Sequence, residues 1–121
     1  MSASWQSAGY PIPVTTAFDF PEFTVTTTIG AMSGVYATSL GFARGLGAGL
    51  SALGKGEVSQ MTELLAEARH IALMRTIAAA QQHGGNALLG VRFDSNEVNG
   101  QIIEIHCYGT AVLVAARGGA Q

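Results

Sequence analysis

Charge is what this chain lacks most. Asp, Glu, Lys and Arg together supply 12% of its residues, against roughly 25% in an average soluble domain. A chain of 121 residues is one domain's worth, and a domain this small buries only about two-thirds of the surface its unfolded chain exposes. With 48% apolar residues, too few charges remain to cover an isolated surface, so self-association is expected to hide some faces. Basic residues are scarcer still. Six of them against eight acidic ones give a formal net charge of −2, which leaves no extended positive surface for phosphates and excludes nucleic acid as a partner. The single cysteine, Cys107, excludes an internal disulfide and any multi-cysteine zinc or iron–sulfur cage within one chain. A cytoplasmic location fits that usage. Residues 1–12 contain no basic segment followed by an apolar run, so they do not read as a signal peptide; they read as a flexible arm.

Glycine, by contrast, is abundant at 16 positions, about twice its usual share. Val14 to Tyr36 is rich in Thr, Val, Phe and Ile, residues that suit a pleated surface, with a turn at Asp19 and Pro21. Two strands are predicted there, near 13–18 and 23–36. Ser39 to Leu53 carries Leu46, Leu50 and Leu53 on one helical face, a helix weakened by glycine. Gly54, Lys55 and Gly56 break it, and a long helical pattern follows from Glu57 to Gln82, stopping at Gly84 and Gly85. On that helix Met61, Leu65, Ala68, Ala72 and Ala79 form one apolar stripe; Ala66, Leu73 and Ile77 form a second. Two stripes predict two partners, the chain's own sheet and a neighbouring subunit. Two last strands, 87–93 and 101–114, are joined across Asn99 and Gly100, the strongest short hairpin signal. Side chains alternate along the final strand. Ile103, Ile105 and Cys107 are predicted on one face, and Glu104, His106, Tyr108 and Thr110 on the other. The expected fold is α+β, order β-β-α-α-β-β, with a domain over 13–115 and a frayed tail over 116–121.

The order and spacing of several short elements resemble those of the YbjQ-like proteins, a family labelled for heavy-metal binding. They are Thr15-Thr16, Gly30 with Gly34, Arg44, Gly56, Ala68-Arg69, Gly84, Asn86-Ala87, Gly90-Val91 and the ending Gly109-Thr110-Ala111-Val112. The resemblance runs from Val14 to Val114. It implies a curved antiparallel sheet wrapped on a long helix, similar to dodecin-like subunits, assembled as a ring of the pentameric type or a stack of such rings. In that setting a strand glycine such as Gly30 or Gly34 marks a bulge, a bend or a close backbone approach. Four positions depart from the family pattern. Gly45 stands where an Asp follows the arginine, Gly41 where an Asn often precedes it, Lys55 replaces the first glycine of the break, and Pro21 replaces a loop glycine.

Candidate site residues follow from chemistry at these places. His106 with Tyr108 and Glu104 gives a polar lining if repeated around a ring, and Arg44 and Arg69 are candidate anion ligands in the same setting. Arg69 lies between the two stripes, where it snorkels or finds a carboxylate, with Asp94 and Glu104 as candidate partners. For a divalent metal the candidates are Glu67 and His70, a Glu-x-x-His on one helix face, together with His106. Only one such motif exists per chain, so symmetry has to complete the site. His106 and Cys107 are adjacent and face opposite sides, so they do not grip one ion together, and Cys107 reads as a core residue. His83 reads as a cation-capable residue near a helix end. No nucleophile has a local base. The glycines at 41, 45 and 49 have membrane-helix spacing, but the strand-like residues upstream and the glycine density argue against a span. The expected function is therefore a non-enzymatic cytoplasmic homo-oligomer that binds a metal or small ligand at subunit interfaces. The alternatives are an enzyme sharing its site between subunits, with Glu67, His70 and His106 as participants, or a peripheral membrane scaffold.

Overall fold

The computed structural model describes residues 9–39 and 55–117, with helix side chains from residue 62 onward. Its elements are β1 (Phe23–Ser39), α1 (Lys55–Gln82), β2 (Ala87–Val98) and β3 (Ile102–Ala116). β3 lies in the middle of an antiparallel sheet of order β1-β3-β2. Among the described residues this is an α+β arrangement of three strands and one helix. The helix predicted between Ser39 and Leu53, and Arg44 with it, lies outside the described residues.

The strand expected near 13–18 does not form as a strand. Its place is taken by one isolated parallel bridge, Val14 with Leu88. The segment still lies along β2: Leu88 N donates to Pro13 O at 2.9 Å, Thr15 N to Leu88 O at 3.1 Å, and Val91 N to Thr15 O at 3.0 Å. Pro11 and Pro13 lack an N–H, so a regular ladder cannot propagate through them. Ile12, read from sequence as part of the arm, is 8% exposed and belongs to the core.

α1 ends in a glycine cap. Gly84, at φ +88°, lets its own N–H reach Gln81 O at 3.0 Å and the Gly85 N–H reach Ala80 O at 2.8 Å, the paired bonds of a Schellman stop. His83 closes the same turn, its Nδ1 lying 2.9 Å from Ala79 O.

The helix has one broad buried arc rather than two stripes with separate partners. Ala68, Ala72, Leu73, Thr76, Ile77 and Ala80 are all buried, and Leu73 and Ile77 share a cluster with Ile12, Leu88, Val91, Ile105, Cys107 and Ala111. Tyr10 and Val14 pack against that cluster. The predicted subunit contact for Leu73 and Ile77 is thus supplied within the chain, and Ala66 of that stripe is exposed.

Helix and sheet approach closely at Gly34. A Cβ there would stand 2.5 Å from Ala72 O, 2.6 Å from Thr76 N and 2.8 Å from Arg75 Cβ, so only glycine fits. Beside it the buried Thr76 hydroxyl donates to Ala72 O at 2.9 Å and lies 3.3 Å from Cys107 O. Arg75 reaches the outer side of β1, donating from Nη1 to Val35 O at 2.6 Å with its guanidinium 5.5 Å from the Tyr36 ring centroid.

A second, smaller cluster forms from Phe20, Ala87, Leu89 and Val112, flanked by Phe23, Val25 and Val114. Ala87 and Leu89 alternate with Leu88 of the main core, which puts this cluster on the sheet face away from the helix. Phe20, 1% exposed, covers it from the turn before β1. Arg117 fastens the neighbouring chain end, its N–H donating to Glu22 O at 2.9 Å and its Nη2 to Phe23 O at 3.1 Å.

Candidate functional site

β3 has one apolar and one polar face, as its alternation predicts. Ile105 and Cys107 are buried against the helix, so His106 and Tyr108 point to the opposite side of the sheet. There the register sets Asp94 and Val35 on either side of His106, Arg92 and Ser33 on either side of Tyr108, and Asn96 and Ala37 on either side of Glu104. Directly opposed residues share a face with Cβ atoms about 5 Å apart, so this surface carries an imidazole, a phenol and two carboxylates in adjoining rows. His106 and Tyr108 are in ring contact, centroids 5.4 Å apart and tilted by 48°. Glu104 is half-buried, its Oε1 3.5 Å from Asn96 Nδ2. Arg92 turns to the preceding loop, its Nη1 donating to Thr16 O at 2.8 Å and its guanidinium lying 5.2 Å from the Phe18 ring centroid.

The three residues expected to hold a metal are not brought together within the chain. Glu67 and His70 are exposed on α1, and the sheet separates them from His106. The His70 ring instead stacks on Tyr10, centroids 6.3 Å apart. Arg69 is exposed and forms no ion pair among the described residues. Asp94 and Glu104, proposed from sequence as carboxylates for Arg69, flank His106 instead. A two-residue loop of Asn99 and Gly100 would set residue 94 opposite residue 105; the loop instead takes in Gln101, with Val98 paired to Ile102, and this brings residue 94 opposite residue 106.

Among the described residues no three His, Cys, Asp or Glu side chains converge on a point that could hold an ion. Cys107, the soft ligand a heavy metal prefers, is fully buried. Burial raises its thiol above the ordinary range, with a Thr76 hydrogen bond opposing the rise, so it resists forming the thiolate that binds metal. The described residues of one protomer do not by themselves form a metal site. No helix among the described residues is long and apolar enough to cross a membrane.

These features define the class: a small α+β domain with a helix on one sheet face and a mixed polar and apolar surface on the other. The chain belongs to the YbjQ family, described as "Putative heavy-metal-binding", whose profile matches residues 12–115. It is 37% identical over 108 residues to a UPF0145 protein of Burkholderia thailandensis, covering 89% of this chain and 97% of that one. It is 42% identical over 102 residues to a UPF0145 protein of Saccharolobus islandicus, covering 84% and 90%. A crystal structure of a protein from Pediococcus pentosaceus, titled as of unknown function and belonging to the DUF74 family, superimposes with a TM-score of 0.53. It is 17% identical and covers 88% of this chain and 100% of that one, a likeness of fold.

Proposed function

We propose that this chain is the subunit of a homo-oligomeric ring of the pentameric kind, and that the ring's role is to bind a small ligand or metal ion at its subunit boundaries rather than to catalyse a reaction. The observation that carries this reading is the outer edge of β1. Among the described residues β1 pairs with no strand but β3, its 17 residues include no charged side chain, and Arg75 takes up Val35 O. Long, uncharged edges invite pairing with another chain. On the sheet face away from the helix, Val35 of β1 is 38% exposed and Tyr108 of the adjoining β3 is 37% exposed, so a neighbour that pairs with β1 and leans over this face covers apolar surface and brings its own groups toward His106.

In such a boundary His106 with one of the neighbouring carboxylates, Asp94 or Glu104, offers part of a donor set suited to a divalent cation of the zinc type. Tyr108 adds an apolar wall with a hydroxyl. Ligands from a second subunit complete what one protomer leaves open. The cytoplasm is the compartment this reading assigns, in keeping with the lone buried thiol.

Light scattering behind a sizing column tests the assembly. A mass of about five protomers, persisting on dilution to micromolar concentration, is expected; a clean monomer overturns the reading. Elemental analysis after incubation with zinc or copper tests the metal form. Stoichiometric metal that disappears in His106→Ala supports it, and substoichiometric metal in the parent protein retires it, leaving the small-ligand form.

A further inference from the structure

We infer that Asn99 is a site of spontaneous covalent modification in the folded protein: its side-chain amide is lost through a succinimide formed with the Gly100 backbone. The inference is independent of the ligand-binding reading. Asn99 and Gly100 form the tip of the β2–β3 hairpin, at φ +54° and +64°, and the turn is closed by Gln101 N donating to Val98 O at 3.0 Å. Both residues are exposed. The Asn99 carboxamide has no hydrogen-bond partner among the described residues, so nothing holds its carbonyl carbon away from the backbone. Gly100 has no Cβ to shield its nitrogen, and a Cβ built there meets nothing within 4 Å. The hairpin end beyond the helix is flanked by the exposed pair Val98 and Ile102 and opens more readily than the core, which supplies the backbone rotation that attack requires.

The chemistry balances with water as the only co-reactant. The Gly100 nitrogen gives up its proton and bonds to Asn99 Cγ; the Cγ–Nδ2 bond breaks and ammonia leaves with that proton. Water then opens the ring. Attack at Cγ yields aspartate, and attack at the former main-chain carbonyl yields isoaspartate, whose peptide link runs through the side chain. The two products differ in consequence. Aspartate tolerates the left-handed conformation much as asparagine does. Isoaspartate adds a methylene to the turn backbone, so the pairing of Val98 with Ile102 cannot be kept. Its free α-carboxylate is the group that an S-adenosylmethionine-dependent isoaspartyl methyltransferase recognises, which assigns a class of repair partner.

The other two asparagines of the hairpin region serve as internal controls. Asn86 is held twice to Val114, its Nδ2 donating at 3.2 Å and its Oδ1 accepting at 2.8 Å, and precedes Ala87. Asn96 lies within β2, bonded to Glu104, and precedes Glu97. Both following residues carry the Cβ that Gly100 lacks.

The test is peptide mapping by mass spectrometry of the full-length folded protein incubated at 37 °C, at neutral and mildly alkaline pH. A product heavier by about one mass unit is expected at Asn99, an order of magnitude faster than at Asn86 or Asn96 because only Gly100 leaves its nitrogen unshielded. It should split into two isomers, one accepting methyl groups from an isoaspartyl methyltransferase, and form faster at the higher pH. Asn99→Gly keeps a residue suited to positive φ, so it should retain the fold by circular dichroism and lose both signals. Equal conversion at the three asparagines overturns the inference. So does an intact Asn99 in the folded protein over a period in which the same chain in denaturant converts.

Discussion

Gly34→Ala is the most severe single-methyl perturbation this fold offers. The added carbon would meet Ala72 O at 2.5 Å and Thr76 N at 2.6 Å, both helix backbone atoms that cannot rotate aside. Restoring a tolerable separation requires the helix to retreat from β1 by roughly 0.9 Å, about the gap that forfeits a quarter to a half of a dispersion contact. Ala72, Thr76, Ile77 and Cys107, all fully buried, share that loss. Overpacking of this kind costs about 1–3 kcal/mol, and rigid backbone on the receiving side puts the expected value near the top, about 3 kcal/mol. Against a total of about 5–15 kcal/mol that is a large share. It corresponds to a fall in Tm of roughly 12 °C, at about 4 °C per kcal/mol for a domain this size. Urea unfolding followed by far-ultraviolet circular dichroism measures it, at one fixed protomer concentration because assembly shifts the midpoint. Ser33→Ala, one residue away on the exposed face, is the control and should lie within about 0.5 kcal/mol of the parent. If Gly34→Ala also lies in that range, the close approach is not what selects glycine here.

Three further outcomes are expected. Burial raises the Cys107 thiol, so the folded state holds this proton more tightly than the unfolded one. Stability from this group is intact below the unfolded thiol value of about 8.5 and is lost as pH rises through the higher folded value. Urea midpoints between neutral and alkaline pH should fall in the parent and fall less in Cys107→Ala. Asn86→Ala removes both bonds to Val114 and leaves its N–H without a protein partner, at a cost of about 1 kcal/mol; faster hydrogen exchange at Val114 reports it. Thr76→Val keeps the volume but deletes the hydroxyl that serves Ala72 O and Cys107 O, and equilibrium unfolding should show a loss of about 1 kcal/mol.

The later part of this fold was legible because its signals are local. Asn99-Gly100 marks the hairpin to within one residue of its register, period-two alternation sorts Ile105 and Cys107 from His106 and Tyr108, and Gly84 marks the helix stop. The N-terminal segment was misread because propensity says only that Val14, Thr15 and Thr16 suit extended backbone. Whether such residues join a ladder or make one bridge depends on which N–H groups Pro11 and Pro13 withhold and on how β2 offers its edge. In the sequence Leu73 and Ile77 point to a second partner for a related reason: no periodicity ties Tyr10 and Ile12, which pack on the same cluster, to the core. Phe20 escaped notice because a lone aromatic in a polar turn carries no periodicity. At the site, the row of Asp94, His106 and Val35 depends on Gln101 joining the hairpin loop, since a one-residue shift would turn Asp94 to the other face, and the separation of His70 from His106 is a property of layers, which spacing along the chain does not encode.

The pairing of β1 with β3 joins residues far apart in sequence, 87 positions for Thr26 with Leu113, and the Arg117 bond just beyond β3 spans 94 positions to Phe23. During synthesis β1 leaves the ribosome before the helix and β2, and the strand it needs follows only after both. The hairpin and helix can form from neighbours alone, but the threonine-rich ribbon of β1 must wait until β3 has followed. Nascent chains on one message carry that ribbon side by side, so the interval before β3 arrives is when misassembly threatens most.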